Sequence, residues 1–134
     1  MNFFRRITAS FTTRGRALAR VDQGMACANN AQPEFAVKHY TDVINSSKSP
    51  RDIIAMALFN RALMYTSIGE ESQATKDLKT ILNMPEAMPK IKKSANQKLV
   101  RMKRKLEREK MPDLDSQPQS LKRESRNDDP STKQ

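Results

Sequence analysis

The sequence has no tryptophan, one cysteine and three glycines, and aromatic residues make up only 5% of it. A single cysteine cannot form an internal disulfide framework, which favours a reducing compartment. Three scattered glycines offer no glycine-rich loop that could cradle a phosphate. No apolar run approaches the roughly 18 residues of a membrane span, and the first residues lack the apolar stretch of a secretory signal. We therefore expect a soluble, cytoplasmic protein.

Positive charge is abundant. The chain of 134 residues carries a formal net charge of +10, which indicates an anionic partner or surface, although solubility explains part of it. Hydrophobic residues make up 37% and charged residues 30% of the chain. This composition predicts one small domain with a limited core, followed by polar sequence.

An internal repeat is the most informative feature that is present. Shifting the chain by thirty-eight residues superposes eight positions of one copy on eight of another. These are Gly24, Cys27, Ala31, Ala36, Tyr40, Val43, Ile44 and Asn45 on Ala62, Tyr65, Gly69, Ala74, Leu78, Ile81, Leu82 and Asn83. Small residues at fixed places let two antiparallel helices approach closely, and the bulky residues fill the space between neighbouring pairs. The repeat therefore predicts a helical hairpin that stacks on its copy.

Apolar spacing, prolines and polar turns set the predicted elements, and the predicted fold class is all-α. We expect two hairpins and a C-terminal capping helix within a domain of residues 15–110, with repeats at about 17–50 and 55–88 and the cap at about 89–110. The predicted helices are 15–29, 34–46, 51–67, 70–83 and 89–110.

Both ends of the chain differ from this domain. Residues 1–14 are expected to form a basic arm or a short amphipathic helix, in which Phe4, Ile7 and Phe11 would share one face that could pack on the first repeat. The early arginines also fit a mitochondrial or other organellar targeting segment, or a surface-binding arm. If nothing covers the first repeat, weak self-association is possible. Residues 111–134 are almost wholly polar, which predicts a disordered tail, either inert or carrying a recognition motif.

The repeat resembles the tetratricopeptide repeat. In the second copy, the residues at that family's small, aromatic, turn, large and proline places are Ala62, Tyr65, Gly69, Ala74, Leu78, Ile81 and Pro85. The first copy keeps Gly24, Ala36 and Tyr40 but has Cys27 where an aromatic residue is usual. Arg20 and Leu58 stand where the family often has tryptophan. The resemblance implies a right-handed stack of hairpins, with a concave groove lined by the first helix of each pair.

In this family the groove usually holds an extended peptide or a partner helix, so we expect a non-catalytic adaptor that binds a protein or peptide. Methionines would give the groove an adaptable apolar floor, and basic residues at its end would favour an acidic ligand. The groove candidates are Val21, Met25, Ala28, Met56, Asn60 and Met64, with Lys98 and Arg101 at the end.

One binding mode of the family grips the terminal carboxylate of a chaperone tail. Asn60 matches the asparagine of the middle repeat, but Val21 and Met25 occupy the places of the first repeat's lysine and asparagine, and a full third repeat is absent. Chaperone-tail binding therefore does not follow. Asn60 is instead expected to be solvated or to bond within its own helix.

Catalytic signals are weak. His39 and Cys27 are the only residues of their types, so a nucleophile and base would have to be built from this one pair. Packing roles account for both residues. The sequence has no zinc-ligand spacing and no convincing carboxylate pair. We expect no enzymatic activity, no cofactor and no metal site.

The alternative function is nucleic-acid binding, most plausibly to RNA. Ten Lys or Arg residues against three acids lie between Glu86 and Met111, and such a helix could follow phosphates. A solvated outer face on a capping helix would have the same composition. No aromatic residues interleave with the charges, so base stacking is not offered.

Overall fold

A computed structural model describes residues 12–111, and within this range the chain forms five helices and no strand. The all-α fold class predicted from the sequence is thus confirmed. The helices are α1 (Thr13–Asn29), α2 (Pro33–Asn45), α3 (Arg51–Ser67), α4 (Glu71–Leu82) and α5 (Pro89–Lys110). The predicted amphipathic face of Phe4, Ile7 and Phe11 and the tail beyond residue 111 lie outside the described residues. The described chain divides into two compact units, residues 12–102 and residues 103–111.

Helix α1 begins at Thr13, two residues before the helix start expected from the sequence. Thr12 is its N-cap, and the Thr12 hydroxyl accepts a hydrogen bond from the backbone N–H of Gly15 at 3.0 Å. This bond satisfies one of the free N–H groups of the first turn. By contrast, Pro33 opens α2 as expected, where its missing N–H leaves no partner unsatisfied.

The two hairpins turn in the same way. The backbone N–H of Gln32 donates to the carbonyl of Cys27 at 2.9 Å, and the N–H of Glu70 donates to the carbonyl of Tyr65 at 2.8 Å. The residue before each donor has a positive φ, 56° at Ala31 and 82° at Gly69. Both turns are therefore left-handed helix ends, closed by a bond from the residue after the turn to the last helical turn. The repeat seen in the sequence is a repeat of backbone hydrogen bonds.

Ala31 has a left-handed backbone conformation, and the equivalent residue of the second repeat is Gly69. We therefore predict that Ala31→Gly stabilises the protein by about 0.5 to 1 kcal/mol. A β-carbon in the left-handed region costs about 1 to 2 kcal/mol, and the greater freedom of glycine in the unfolded chain offsets part of that gain. The converse change, Gly69→Ala, should destabilise by about 1 kcal/mol, since space around Gly69 is open and only its φ resists a side chain. Urea unfolding followed by circular dichroism measures both. Equal shifts in the same direction would contradict the account.

Helix α5 follows the same period. The first helices of the two hairpins begin at Thr13 and Arg51, and α5 begins at Pro89, with thirty-eight residues between successive starts. Ala95 and Met102 of α5 stand at the positions of Ala57 and Met64 of α3, and both are buried. The capping helix therefore has the start and the inward-facing positions of the first helix of a third unit.

Residues 12–102 contain two buried apolar clusters. Within this unit α1 packs against α2 and α3, and α3 also packs against α2 and α4. The first cluster joins the first hairpin to α3, and the second joins α3, α4 and α5. The first comprises Ala17, Val21, Ala36, Tyr40, Val43, Ile53 and Ala57. The second comprises Ala55, Leu58, Ala62, Ala74, Leu78, Ile81, Met84, Ala87, Ala95 and Met102.

The residues that defined the repeat divide into packing and turn positions. Tyr65 packs partly buried against the second cluster. Gly69 and Pro85 lie exposed in the turns that follow α3 and α4. Six further residues of the repeat pattern are buried where helices meet: Gly24, Ala36, Tyr40, Ala62, Ala74 and Leu78. Burying a side chain such as Leu78 contributes about 1.5 to 3 kcal/mol.

Helix α3 is more deeply enclosed than a single apolar stripe predicts. Apolar periodicity along α3 predicts one buried stripe that includes Ile54 and Ile68, but Ile54 is half-buried and Ile68 is exposed. Ile53 and Ala55, outside that stripe, are buried instead. The reason is that α3 has helix neighbours on several sides, so residues on more than one face are covered.

An ion pair connects the starts of α1 and α3. Arg14 donates two hydrogen bonds to Asp52, Nη1 to Oδ1 at 3.1 Å and Nη2 to Oδ2 at 2.8 Å. These residues are equivalent positions in successive repeats. The hydrogen bond from Arg14 holds the pKa of Asp52 below its usual range, and the same contact raises the pKa of Arg14.

The lowered pKa of Asp52 predicts a pH-dependent contribution to stability. The contribution is fully present above the unfolded-state pKa of about 3.9 and is lost as pH falls through the lower folded-state pKa. The unfolding free energies of wild type and Asp52→Asn should therefore differ by a constant amount above about pH 5 and converge below about pH 4. Asp22→Asn is the matched control, an exposed acid with no ion pair within residues 12–111. A gap between wild type and Asp52→Asn that is independent of pH from 7 to 3 would contradict the assignment.

No described helix is both long enough and apolar enough to cross a membrane.

Candidate functional site

Helices α1 and α3 are in contact, and five of the groove candidates on these two helices keep accessible surface. We call these five residues the methionine face. It consists of Met25 and Ala28 on α1 and Met56, Asn60 and Met64 on α3. Met25 is 45% exposed. Ala28, Met56 and Met64 are half-buried and pack on the first cluster from outside. Each of these four side chains therefore keeps accessible surface, and three of them also pack on the core.

Val21 is the groove candidate that does not reach this surface. Its side chain is 1% exposed and belongs to the first cluster, so it is not available to a ligand in this conformation. The sequence put Val21 on the same side of α1 as Met25, which is one helical turn away. Val21 packs in the first cluster with residues of both α2 and α3, whereas Met25 is not part of that cluster.

Asn60 bonds within its own helix, one of the two roles expected for it. Its side-chain nitrogen donates to the carbonyl oxygen of Met56 at 3.0 Å. This bond fixes the orientation of the side-chain amide, which is the one polar side chain among the five residues of the methionine face.

Charge changes sign along the first helices of the three units. Asp22 of α1, Asn60 of α3 and Lys98 of α5 occupy the same position counted from each helix start. Asp22 is exposed and Lys98 is half-buried. Arg101, one turn after Lys98, is exposed and corresponds to Met25. Successive helices therefore present an acid, an amide and a base at equivalent positions.

A buried ion pair between Arg61 and Asp77 joins α3 to α4. Arg61 donates from Nε to Asp77 Oδ2 at 2.8 Å and from Nη2 to Asp77 Oδ1 at 2.7 Å. Its third nitrogen donates to the hydroxyl of Thr41 on α2 at 3.1 Å, and the guanidinium lies 5.5 Å from the ring centre of Tyr65. The bond to Asp77 raises the pKa of Arg61. One side chain thus ties α3 to α2 and α4, and the sequence analysis did not find it.

Cys27 and His39 are the one pair from which a catalytic nucleophile and base could be built. Cys27 is half-buried and packs on the first cluster. Burial, and to a lesser extent the nearby thiol of Cys27, raises the pKa of Tyr40. Nδ1 of His39 lies 3.4 Å from Nη1 of Arg20. Within residues 12–111, no three His, Cys, Asp or Glu side chains are grouped so that they could hold a metal ion.

The basic side chains of α5 are largely solvated. In residues 12–102 Lys90, Lys93 and Arg101 are exposed, whereas Lys92 and Lys98 are half-buried. In residues 103–111 every basic side chain is exposed, and Nζ of Lys105 lies 4.0 Å from a carboxylate oxygen of Glu109. These exposed basic residues are Lys103, Arg104, Lys105, Arg108 and Lys110.

Comparison of the chain with protein-family models, with curated protein sequences and with solved structures found no match.

Proposed function

We propose that the protein is a non-catalytic adaptor of the tetratricopeptide-like type that binds a peptide or partner helix on the methionine face. The supporting observation is the exposure of Met25 on α1 and the partial exposure of Met56 and Met64 on α3, two helices that are in contact and both contribute to the core. Unbranched methionine side chains adapt to different apolar ligands at low cost. The rigid helices beneath them reduce the conformational entropy that binding must overcome.

The sign change from Asp22 through Asn60 to Lys98 and Arg101 suggests how a ligand is oriented. An amphipathic segment would place its apolar side chains over the methionines and its acidic end towards α5. Its basic end would lie towards α1. Complementary charge at the two ends favours one orientation and speeds association more than it adds affinity.

Site-specific photo-crosslinking tests the proposal. A photoreactive phenylalanine analogue replaces Met56, and in a matched variant it replaces Gln73, an exposed residue of α4 that is not part of the methionine face. We expect irradiation in cells to couple a protein to position 56 and not to position 73. Adding Met25→Glu to the position-56 protein should reduce that product at least fivefold, because a carboxylate on an apolar contact is costly to desolvate. Equal coupling from both positions would contradict the proposal.

Nucleic-acid binding is the second candidate, favoured by the exposure of the basic residues in 103–111. Replacing Lys103, Arg104 and Lys105 with glutamate would then abolish an RNA mobility shift that weakens steeply with salt. The adaptor proposal predicts that this triple variant retains the product coupled from position 56. Loss of an RNA shift together with unchanged protein partners would favour the second candidate.

A further inference from the structure

A second concave feature lies between α1, the end of α2 and the linker that follows it. This polar cleft has a volume of about 280 Å³ and is bordered by Arg16, Arg20, Asp42, Ser46 and Lys48, among others. On α1, its residues are distinct from those of the methionine face. Its size is just below the usual range for small-molecule sites, which is about 300 to 1,000 Å³.

The repeat places apolar residues at the equivalent positions of the second hairpin. Arg20, Ser46 and Ser49 of the cleft correspond by the thirty-eight-residue shift to three apolar residues of the second cluster. These are Leu58, Met84 and Ala87, which are 4%, 3% and 5% exposed. These three positions therefore carry buried apolar side chains in the second repeat, whereas in the first repeat polar side chains at the same positions line the cleft.

The cleft combines an apolar floor with a positively charged rim. Ala17 and Val43, 7% and 2% exposed, form part of its lining. The side chains of Arg16 and Lys48 make no hydrogen bond or ion pair within residues 12–111. These two with Arg20 bring three positive charges to the rim, and Asp42 brings one negative charge.

The guanidinium of Arg20 keeps N–H donors available to a ligand. Its Nη1 lies 3.9 Å from Oδ2 of Asp42, which is too far for a hydrogen bond, and 3.4 Å from Nδ1 of His39. The side chains of Arg20 and Asp42 are both about half exposed, so the attraction between them is screened by water. An anion that enters the cleft can therefore compete for the guanidinium. Three positive charges and one negative charge balance a ligand that carries two negative charges.

We propose that this cleft binds the dianionic phosphate group of a small phosphate monoester. Arg16, Arg20 and Lys48 bind the phosphate oxygens, and the hydroxyls of Ser46 and Ser49 donate to them. Ala17 and Val43 contact the organic part of the ligand. The volume limits that part to a small group such as a phenyl ring, and the site is independent of the methionine face.

The test is a titration of the ¹⁵N-labelled full chain at low salt with inorganic phosphate, phenyl phosphate and benzenesulfonate. We expect saturable amide shifts confined to the cleft, including residues 46–49, with phenyl phosphate binding more tightly than inorganic phosphate. Benzenesulfonate, a monoanion of similar shape, should bind at least about tenfold more weakly than phenyl phosphate, because it carries one charge fewer. A short phosphoserine peptide forms a further arm, and tighter binding of that peptide than of phenyl phosphate would overturn the assignment to a small molecule.

Three substitutions assign the binding to the cleft. Arg20→Gln should weaken phenyl phosphate binding by about tenfold, the usual effect of losing one charge-assisted hydrogen bond. Asp42→Asn should strengthen binding severalfold by removing the negative charge, and a gain of affinity cannot come from misfolding. Arg51→Gln removes an exposed charge that pairs only distantly with Glu86, at 3.9 Å, and should change nothing. Shifts that do not saturate, an Arg51 variant as weak as the Arg20 variant, or unchanged affinity in Asp42→Asn would each overturn the proposal.

Discussion

Replacing Asp77 with alanine is expected to lower the free energy of unfolding by an amount near the lower end of about 3 to 5 kcal/mol. That range is typical when one partner of a buried ion pair is removed. The side chain of Asp77 is 5% exposed and that of Arg61 is 15% exposed. The substitution leaves the guanidinium without its two carboxylate acceptors. Water can still reach part of Arg61, which is why the lower end applies. Urea unfolding followed by circular dichroism measures the effect.

Two further variants distinguish the effect of breaking the ion pair from the general effect of altering an acidic side chain. Arg61→Met together with Asp77→Leu should recover most of the stability, because no unpaired charge remains in the core. Asp42→Asn, which alters an exposed acid, should stay within about 0.5 kcal/mol of wild type. If Asp77→Ala lies within about 1 kcal/mol of wild type, the pair does not hold α3 in place.

Gly24→Ala is expected to destabilise the protein by about 1 to 3 kcal/mol through overpacking. The same change inside an ordinary helix stabilises by about 1 kcal/mol, so the sign of the effect is diagnostic. A β-carbon at Gly24 would contact the ring of Tyr40, with Cδ1 and Cζ each 2.9 Å away and Cε1 nearer still. Tyr40 is 1% exposed and has no room to move aside.

The second repeat supplies the rescue. It carries Ala62 and Leu78 where the first carries Gly24 and Tyr40. The double variant Gly24→Ala with Tyr40→Leu copies that pair and should be at least about 1 kcal/mol more stable than the sum of the single effects, because the two positions are in contact. Strict additivity, or a Gly24→Ala protein more stable than wild type, would show that the helices do not approach as closely as described.

The helices were largely predictable because local signals and the repeat agree. Small residues and turn residues recur at the same spacing, prolines stand at the starts of α2, α3 and α5, and the bounds of α3 and α5 match their predicted ranges. The start of α1 lies two residues before the predicted one, although Thr12 is a residue type that commonly caps helices. Shifting the sequence a second time would have placed Ala95 and Met102 on Ala57 and Met64, and so revealed the period of α5.

Features that depend on three or more helices were not predictable from periodicity. Burial of Ile53 and Ala55 follows from the several neighbours of α3, which one helix's pattern does not encode. The same holds for Val21, predicted on the groove and found in the core.

The sequence contains partial signals for the Arg61–Asp77 ion pair and for the polar cleft. Asp77 directly precedes Leu78, three residues after Ala74, on the face that α4 buries. A charged residue at such a position needs a partner, and Arg61 beside Ala62 on α3 was the natural one. Arg20 at the place of Leu58 was visible in the repeat, but only the fold shows that Ser46 and Ser49 meet it around one opening.

Methionine-methyl NMR tests the adaptor proposal most directly, because the chain's eight methionines are distributed between the proposed face and other places. The protein carries ¹³C-methyl methionine, and the ligand is the partner segment that couples to position 56. Met25, Met56 and Met64 report on the methionine face. Met84 and Met102 are buried and report on any general change of the core, whereas Met88 and Met111 are exposed elsewhere.

The account predicts that addition of the segment shifts or broadens the methyl signals of Met25, Met56 and Met64. It also predicts that the signals of Met84, Met88, Met102 and Met111 stay in place. Shifts confined to Met88 and Met111, with the three methionines of the face unchanged, would contradict it.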